Sequence, residues 1–97
     1  GENMVDHIVI EDNQTEEKRN LALSGIFIAV GMQPQTALVK DVVEMENGYI
    51  RAGEDCRTNV PFLYAIGDVR TKTVRQIATA IGDGAAVIAS LEHDLLQ

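Results

Sequence analysis

A short apolar run at residues 62–66 stops at Gly67-Asp68, and a helical pattern begins a few residues later, near Val74. The aromatic and branched side chains of the run predict a buried strand. The order strand, loop, helix predicts an α/β fold. In such folds, ligands bind beyond the carboxyl ends of the strands, so the Gly-Asp pair marks the candidate binding site.

The residue types at this strand end suit a ligand with hydroxyl or anionic groups. Gly67 has no side chain, so a ligand can approach the backbone, and the Asp68 carboxylate can accept hydrogen bonds from sugar or polyol hydroxyls. The start of the following helix adds free N–H groups and a positive dipole end. On spacing alone, a simple turn at Gly67-Asp68 and a surface position for Arg75 remain the commoner alternatives.

The last third of the chain has the spacing of one long helix, because apolar residues recur at steps of three and four. The apolar positions are Val74, Ile77, Ala78, Ile81, Ala85, Ile88 and Leu95, and the opposite side carries Arg75, Thr79, Asp83, Ser90 and Asp94. Glycine is unfavourable inside a helix, so Gly82 and Gly84 predict a second backbone packed closely there. A kink or break at Gly82 to Gly84 is the alternative.

The N-terminal third is predicted to be strand-rich. Residues 4–10 alternate in polarity and predict a strand, the polar residues 11–20 predict a hairpin tip, and the apolar residues 21–30 predict a second, buried strand interrupted at Ser24-Gly25. Gly31 and Pro34 end that strand, and Thr36 is a candidate cap for a short helix towards Val43. The domain boundary is therefore expected at residues 31–36.

Asn47-Gly48 is a strong signal for a two-residue hairpin turn between residues 43–45 and 49–51.

Composition excludes several classes of function. The chain has 97 residues and a formal net charge of −7, which argues against nucleic acid or an anionic membrane as partner. Cys56 is the only cysteine, so neither an intrachain disulfide nor a Cys-x-x-Cys pair exists, and we expect no metal site. No targeting or membrane-spanning pattern is visible, and we expect a cytoplasmic protein.

The longer sequence strings are more specific than the Gly-Asp pair. Residues 58–70 read TNVPFLYAIGDVR, residues 74–86 read VRQIATAIGDGAA, residues 31–36 read GMQPQT and residues 47–50 read NGYI. In this order they resemble the low-molecular-weight thioredoxin reductases, whose pattern is T-x-V-P-x-h-[FY]-A-h-G-D-V followed by R-Q-h-x-T-A-x-G-[DE]-G, where h is apolar. The resemblance extends over nearly the whole chain.

The resemblance implies a flavoenzyme with two nucleotide-binding domains, one for FAD and one for NADPH. Residues 1–33 correspond to the end of the NAD(P)H-binding domain, and residues 34–97 to the C-terminal part of the FAD-binding domain. Asp68 is expected to bond the flavin ribitol, and Gly67 to let it come close. Arg75 and Gln76 are expected to line the flavin pocket, with the N–H groups of Gln76 and Ile77 near the pyrimidine edge. The implied partner is a disulfide in a small protein such as thioredoxin, and the implied assembly is a homodimer.

The chain departs from the family pattern in what it lacks. Neither Gly-rich dinucleotide fingerprint is present and no Cys-x-x-Cys occurs, so we assign no catalytic residue and expect no reductase activity from these residues alone. Cys56 is expected to be a structural or incidental thiol. Alternatives are a related flavoprotein, such as the flavoprotein component of a peroxide-reducing system or a ferredoxin–NADP reductase, and a stand-alone non-catalytic module. An incomplete sheet with exposed apolar faces predicts a dimer or a swapped assembly.

Overall fold

The computed structural model describes all 97 residues, which fold as two compact units, Gly1–Gly31 and Met32–Gln97. The first unit holds strands β1 (His7–Glu11) and β2 (Lys18–Ala22). The second holds strands β3 (Met45–Glu46) and β4 (Tyr49–Ile50), a 3₁₀ helix (Gly67–Val69) and helix α1 (Ile77–Leu95). Small sheets and one long helix confirm the α/β class. No helix combines the length and apolarity needed to cross a lipid bilayer.

The first unit is the expected hairpin with different bounds. β1 pairs antiparallel with β2, and His7 lies opposite Ala22 while Glu11 lies opposite Lys18. The tip is shorter than predicted because the Asp12 carboxylate accepts the N–H groups of Gln14 and Thr15, which closes a tight turn. β2 therefore begins inside the segment predicted as the tip.

The predicted buried strand at residues 21–30 is wrong: only Leu21 and Ala22 lie in a strand, and both are exposed. Residues 26–30 form no strand, and Phe27, Ile28 and Val30 are almost fully exposed. A strand needs a hydrogen-bonding neighbour, and no segment of the 97 residues pairs with this one. The composition of the segment is still that of a buried strand, so its exposed apolar surface has no partner within this chain.

The second unit begins with turns where a short helix was expected. Residues 37–43 form successive turns, and the Thr36 hydroxyl donates to the carbonyl of Gly48 at 2.6 Å instead of capping a helix. Thr36 is consequently buried and ties this segment to the β3–β4 turn.

The Asn47-Gly48 turn is confirmed. Asn47 and Gly48 both have positive φ, at 52° and 85°, which is the geometry of a type I′ turn between β3 and β4. The turn positions Tyr49 and Ile50 on β4, and Ile50 also forms a parallel bridge to Arg70.

The predicted strand at residues 62–66 is wrong. This segment forms only one isolated bridge, between Tyr64 and Arg57, and Phe62 takes a φ of 64° that no regular strand contains. Phe62 is exposed, whereas Ala65 is buried with Val43, Ile50 and Ala52 in a small apolar core. The apolar composition of the segment reflects this partial burial rather than a ladder of hydrogen bonds.

Helix α1 runs without interruption through Gly82 and Gly84, so the predicted break does not occur. It begins at Ile77, three residues after the predicted start at Val74. A Cβ atom at either glycine would meet nothing within 4 Å, so the close backbone packing predicted there has no counterpart within this chain.

The orientation of α1 is the reverse of the usual amphipathic arrangement. Its buried residues are Asp83 and Ser90, and the apolar residues Ile77, Ile81 and Ile88 face solvent. The polar side of the helix packs on the rest of the unit because it carries carboxylates that meet arginines from the loops. The apolar stripe of α1 therefore has no packing partner within this chain.

Candidate functional site

The five residues singled out from the sequence lie around the junction between the 3₁₀ helix and α1. Gly67 and Asp68 are in the 3₁₀ helix, Arg75 is in the connecting loop, Gln76 is the N-cap of α1, and Ile77 is its first residue. The Arg75 side chain links the end of the connecting loop to the 3₁₀ helix, because its Nε donates to the Asp68 carbonyl at 3.0 Å.

Gly67 is required by the backbone itself. Its φ is +76°, a conformation that costs an L side chain energy, and the nearest atom to a Cβ placed there is Ala80 Cβ at 4.0 Å. The position therefore needs glycine for its torsion angle and leaves ordinary space around it. Its N–H donates to the Asp83 carboxylate at 2.8 Å, which fixes this torsion.

Asp68 points its exposed side chain away from the core and lines a cleft of about 210 Å³. Most of the remaining surface of this cleft is apolar. The residues that line it besides Asp68 are Met32, Gln33, Pro34, Gln35, Tyr49 and Val69. One carboxylate at the edge of an apolar cleft is the arrangement that orients a ligand by a few polar contacts while its body rests on apolar surface.

Arg75 is held by the protein on three sides. Its guanidinium donates to the carbonyls of Asp68 and Arg70, both at 3.0 Å, and stacks over the Tyr49 ring at 3.7 Å. These contacts make it a brace for the loop that carries Asp68.

The N-terminus of α1 is only partly capped. The Gln76 N–H donates to the Thr79 hydroxyl at 3.0 Å, whereas the N–H groups of Ile77 and Ala78 have no hydrogen-bond partner in the protein. Ile77 is strongly exposed, and no acidic side chain lies in this turn to offset the positive dipole end. The unpaired N–H groups suit an electron-rich group of a ligand.

Sequence reasoning missed the buried ion cluster beneath this junction, which we name the Asp83 clamp: Asp83, Arg70, Lys72 and the Gly67 N–H. Arg70 Nε and Nη2 each donate to one Asp83 oxygen at 2.8 Å, and Lys72 Nζ adds a contact of 2.7 Å. The three side chains are 2–6% exposed. The hydrogen bonds from Arg70, then those from Lys72 and Gly67, hold the pKa of the Asp83 carboxyl well below its ordinary value.

A second cluster lies near the other end of α1, and we name it the Asp94 clamp: Asp94, Arg57 and Tyr64. Arg57 binds the Asp94 carboxylate through Nε at 3.1 Å and Nη2 at 2.8 Å, and the Tyr64 hydroxyl donates to the same carboxylate. These contacts hold the pKa of Asp94 well below its ordinary value, with Arg57 as the larger cause. The partners are 11 to 16 positions apart in the Asp83 clamp and 30 to 37 apart in the Asp94 clamp, and no pattern in the sequence pairs residues at these separations, so neither clamp was predictable.

Cys56 lies fully buried against α1, and its Sγ approaches the Asp83 carbonyl at 3.7 Å. Burial raises the pKa of this thiol, so little reactive thiolate forms at neutral pH. The position agrees with a structural role.

Comparison with known proteins gives a consistent family. The family model for "Pyridine nucleotide-disulphide oxidoreductase" matches residues 2–84. Thioredoxin reductase of Treponema pallidum is 41% identical over 99 aligned residues, covering 100% of this chain and 32% of that protein. An alkyl hydroperoxide reductase component of Staphylococcus aureus is 43% identical over 86 residues, covering 88% of this chain and 17% of that protein.

Solved structures agree with the sequence relatives. The crystal structure of thioredoxin reductase from Streptococcus pyogenes superimposes with a TM-score of 0.75 at 41% identity, covering 98% of this chain and 31% of that one. The chain thus spans about a third or less of the proteins it matches. It belongs to the pyridine nucleotide-disulphide oxidoreductase family and resembles the thioredoxin reductases over nearly its whole length.

Proposed function

We propose that this chain supplies one wall of an FAD site in a larger flavoenzyme that passes electrons from NADPH to a protein disulfide. The observation that carries the proposal is the junction at which Arg75 holds the Asp68 carbonyl next to the first turn of α1. The exposed Asp68 carboxylate and the unpaired N–H groups of Ile77 and Ala78 can therefore contact the same ligand.

The residues fit part of the cofactor. The Asp68 carboxylate suits the hydroxyls of a ribityl chain, and the N-terminal turn at Gln76 and Ile77 suits the electron-rich edge of the flavin ring. The cleft beside Asp68, at about 210 Å³, is smaller than the pocket of a typical whole ligand, so these residues form one wall only. Bound FAD supplies the electron transfer, and this chain's contribution is to bind and orient it.

Residues 1–33 are assigned to the end of an NAD(P)H-binding domain and residues 34–97 to the C-terminal part of an FAD-binding domain. The exposed apolar residues at 26–30 and along α1 support this assignment, since both surfaces have the composition of packed elements. We therefore expect the 97 residues alone to be inactive and to associate as a dimer or swapped assembly. A cytoplasmic location and a homodimeric parent enzyme remain predictions.

The electron acceptor is proposed to be a thioredoxin-like disulfide, because thioredoxin reductases are among the similar proteins and structures. A second candidate is the flavoprotein component of a peroxide-reducing system, which the similarity to the alkyl hydroperoxide reductase component favours. Rates of reduction with a thioredoxin-like protein and with a peroxiredoxin-type partner distinguish the two. A ferredoxin–NADP reductase and a stand-alone binding module stay as the remaining alternatives.

The test is the visible absorption spectrum of the full-length protein containing this chain, recorded after incubation with FAD and desalting. The proposal expects a retained flavin band that bleaches when NADPH is added without oxygen. The separate 97-residue chain, treated identically, is expected to stay colourless. A colourless full-length protein would contradict the proposal, and a yellow 97-residue chain would favour the stand-alone module.

A further inference from the structure

The Asp83 carboxylate contacts both ends of the short helix that carries Asp68. At the start of that helix it accepts the Gly67 N–H at 2.8 Å, and just after its end it accepts two hydrogen bonds from Arg70. Asp68 lies between these two points. The backbone on either side of Asp68 is therefore tied to one residue of α1.

Asp83 itself belongs to the second turn of α1, the helix whose first turn offers the free N–H groups. A helix is stiff over two turns, so a group fixed to Asp83 is also fixed relative to Gln76 and Ile77. Arg75 provides a second tie from the residue before the N-cap to the Asp68 carbonyl. The contacts of Asp83 and Arg75 thus fix the distance between the Asp68 turn and the N-terminus of α1.

We propose that Asp83 is a positioning residue of the flavin site: it holds the Asp68 turn at a fixed distance from the N-terminus of α1. The inference rests on the proposed FAD-binding function. Asp83 is 4% exposed, and the groups that donate hydrogen bonds to its carboxylate all belong to the protein. It therefore acts through Gly67 and Arg70 and does not touch the ligand.

The geometry also explains why an ion pair is used here. The Gly67 N–H needs an acceptor, and Gly67 has a left-handed torsion that the loop must maintain. A carboxylate accepts this N–H on one oxygen while Arg70 and Lys72 fix the orientation of the group. An apolar residue at position 83 could pack, but it would leave the Gly67 N–H and the Lys72 ammonium without a partner, and Arg70 would keep only Glu54 as a counter-ion.

The chain offers a matched control at Asp94. This residue is also an α1 aspartate bound by a bidentate arginine, but its clamp holds Arg57 and Tyr64 and makes no contact with Gly67 or Arg70. A substitution that removes the carboxylate charge has the same chemistry at both places. Because the two clamps differ in burial, flavin binding is compared together with Tm, and a change of flavin affinity and potential in the Asp83 variants alone reports position.

The experiment compares Asp83→Asn and Asp94→Asn in the full-length protein, measuring FAD dissociation, the reduction potential of the bound flavin, and Tm. We expect Asp83→Asn to weaken FAD binding about tenfold, the size of one lost charged hydrogen bond, and to shift the flavin potential. Asp94→Asn is expected to lower Tm while FAD affinity and potential stay at wild-type values.

A second variant guards against simple misfolding. Asp83→Asn combined with Lys72→Met removes one charge of each sign, so fewer unpaired cations remain, and it is expected to show the same loss of FAD affinity and the same potential shift. Wild-type affinity and potential in both Asp83 variants, or equal effects from Asp94→Asn, overturn the positioning role. A wild-type protein that binds no FAD overturns the proposed function, and this inference with it.

Discussion

The Asp83 and Asp94 clamps are made from the same chemistry in different surroundings. Each joins an α1 carboxylate to an arginine that donates through Nε and Nη2. In the Asp83 clamp Arg70 is 2% exposed, whereas in the Asp94 clamp Arg57 is 37% exposed. The two arginine–aspartate pairs therefore have similar hydrogen bonds but differ in burial.

The difference in burial determines how much each ion pair contributes to stability. A buried pair costs free energy to desolvate, so it adds little over an apolar pair, but breaking it is severe. A partly exposed pair is screened by water and contributes modestly. The clamp near the proposed flavin wall is thus the one whose geometry cannot relax without a large penalty.

The largest effect is expected for Asp83→Ala, which should lower the free energy of unfolding by about 3–5 kcal/mol, because Lys72 is left buried without a partner and Arg70 keeps only the exposed Glu54 as a counter-ion. Thermal unfolding followed by circular dichroism measures it. The control is Asp41→Ala, which removes an exposed carboxylate. A loss no larger than that of Asp41→Ala would contradict the assignment of the Asp83 clamp as a buried pair that is costly to break.

Low pH should weaken both clamps. Both aspartates have pKa values below the ordinary value, so each contributes stability that is complete above the unfolded pKa of about 3.9 and is lost as the pH falls further. Unfolding measured from about pH 6 down to about 2 should show this decline. The dependence of the free energy of unfolding on pH should become flatter in the Asp83→Asn, Lys72→Met double variant than in Asp94→Asn, because the Asp83 pair is more deeply buried. Equal flattening in the two variants would contradict this order.

Gly67→Ala tests whether the Asp83 clamp fixes the positive φ of Gly67. The substitution should cost about 1–2 kcal/mol of stability, since the clamp enforces a φ of +76° that alanine resists. There is room for the methyl group, so strain is the only cause. Urea unfolding measures the loss, and an unchanged midpoint would mean that the turn relaxes and is not fixed by Asp83.

Phe62 tests the loop that the Asp94 clamp holds. It is exposed and has a φ of 64°, a strained value for a bulky residue. Phe62→Gly should therefore raise stability by up to about 1 kcal/mol, the relief of strain less the added flexibility of glycine. Phe62→Ala is the matched control, because alanine loses the ring but keeps the strain. Equal changes in the two variants would refute strain as the cause.

The smallest effect is expected for Asp94→Asn, a decrease in Tm of a few degrees at low salt that shrinks as salt is added, since its ion pair is accessible to counterions. The loss caused by Asp83→Asn should persist at about 1 M NaCl, because buried pairs are screened much less. Differential scanning calorimetry of both variants across a salt series checks this. A salt-sensitive Asp83 variant would contradict its burial.

Local features could be predicted from the sequence, and features set by distant partners could not. The Asn47-Gly48 turn, the N-terminal hairpin and the long helix follow from local conformational preferences and periodicity. The segments at 26–30 and 62–66 read as buried strands, yet neither forms a ladder, because a strand also depends on a neighbour that its own residues do not encode.

The same distinction applies to the candidate site. The Gly67-Asp68 and Arg75-Gln76 pairs stand out in the sequence because they are short motifs. The spacing of the helix places Asp83 on the polar side, opposite the apolar residues, yet it is among the most buried residues of α1. Periodicity assigns a polar residue to solvent and has no means to recognise an arginine 13 positions away that changes the outcome.

FAD retention by the full-length protein carrying Asp68→Ala, with Asp41→Ala as the control, tests whether the Asp68 turn is part of the flavin wall. Asp68 is exposed, so its replacement should leave the fold intact. The Asp68→Ala protein is expected to lose its flavin on desalting, whereas its Tm in the absence of FAD should equal that of the wild type. Full retention of flavin by Asp68→Ala, equal to that of the control, would contradict the assignment of this turn to the flavin wall.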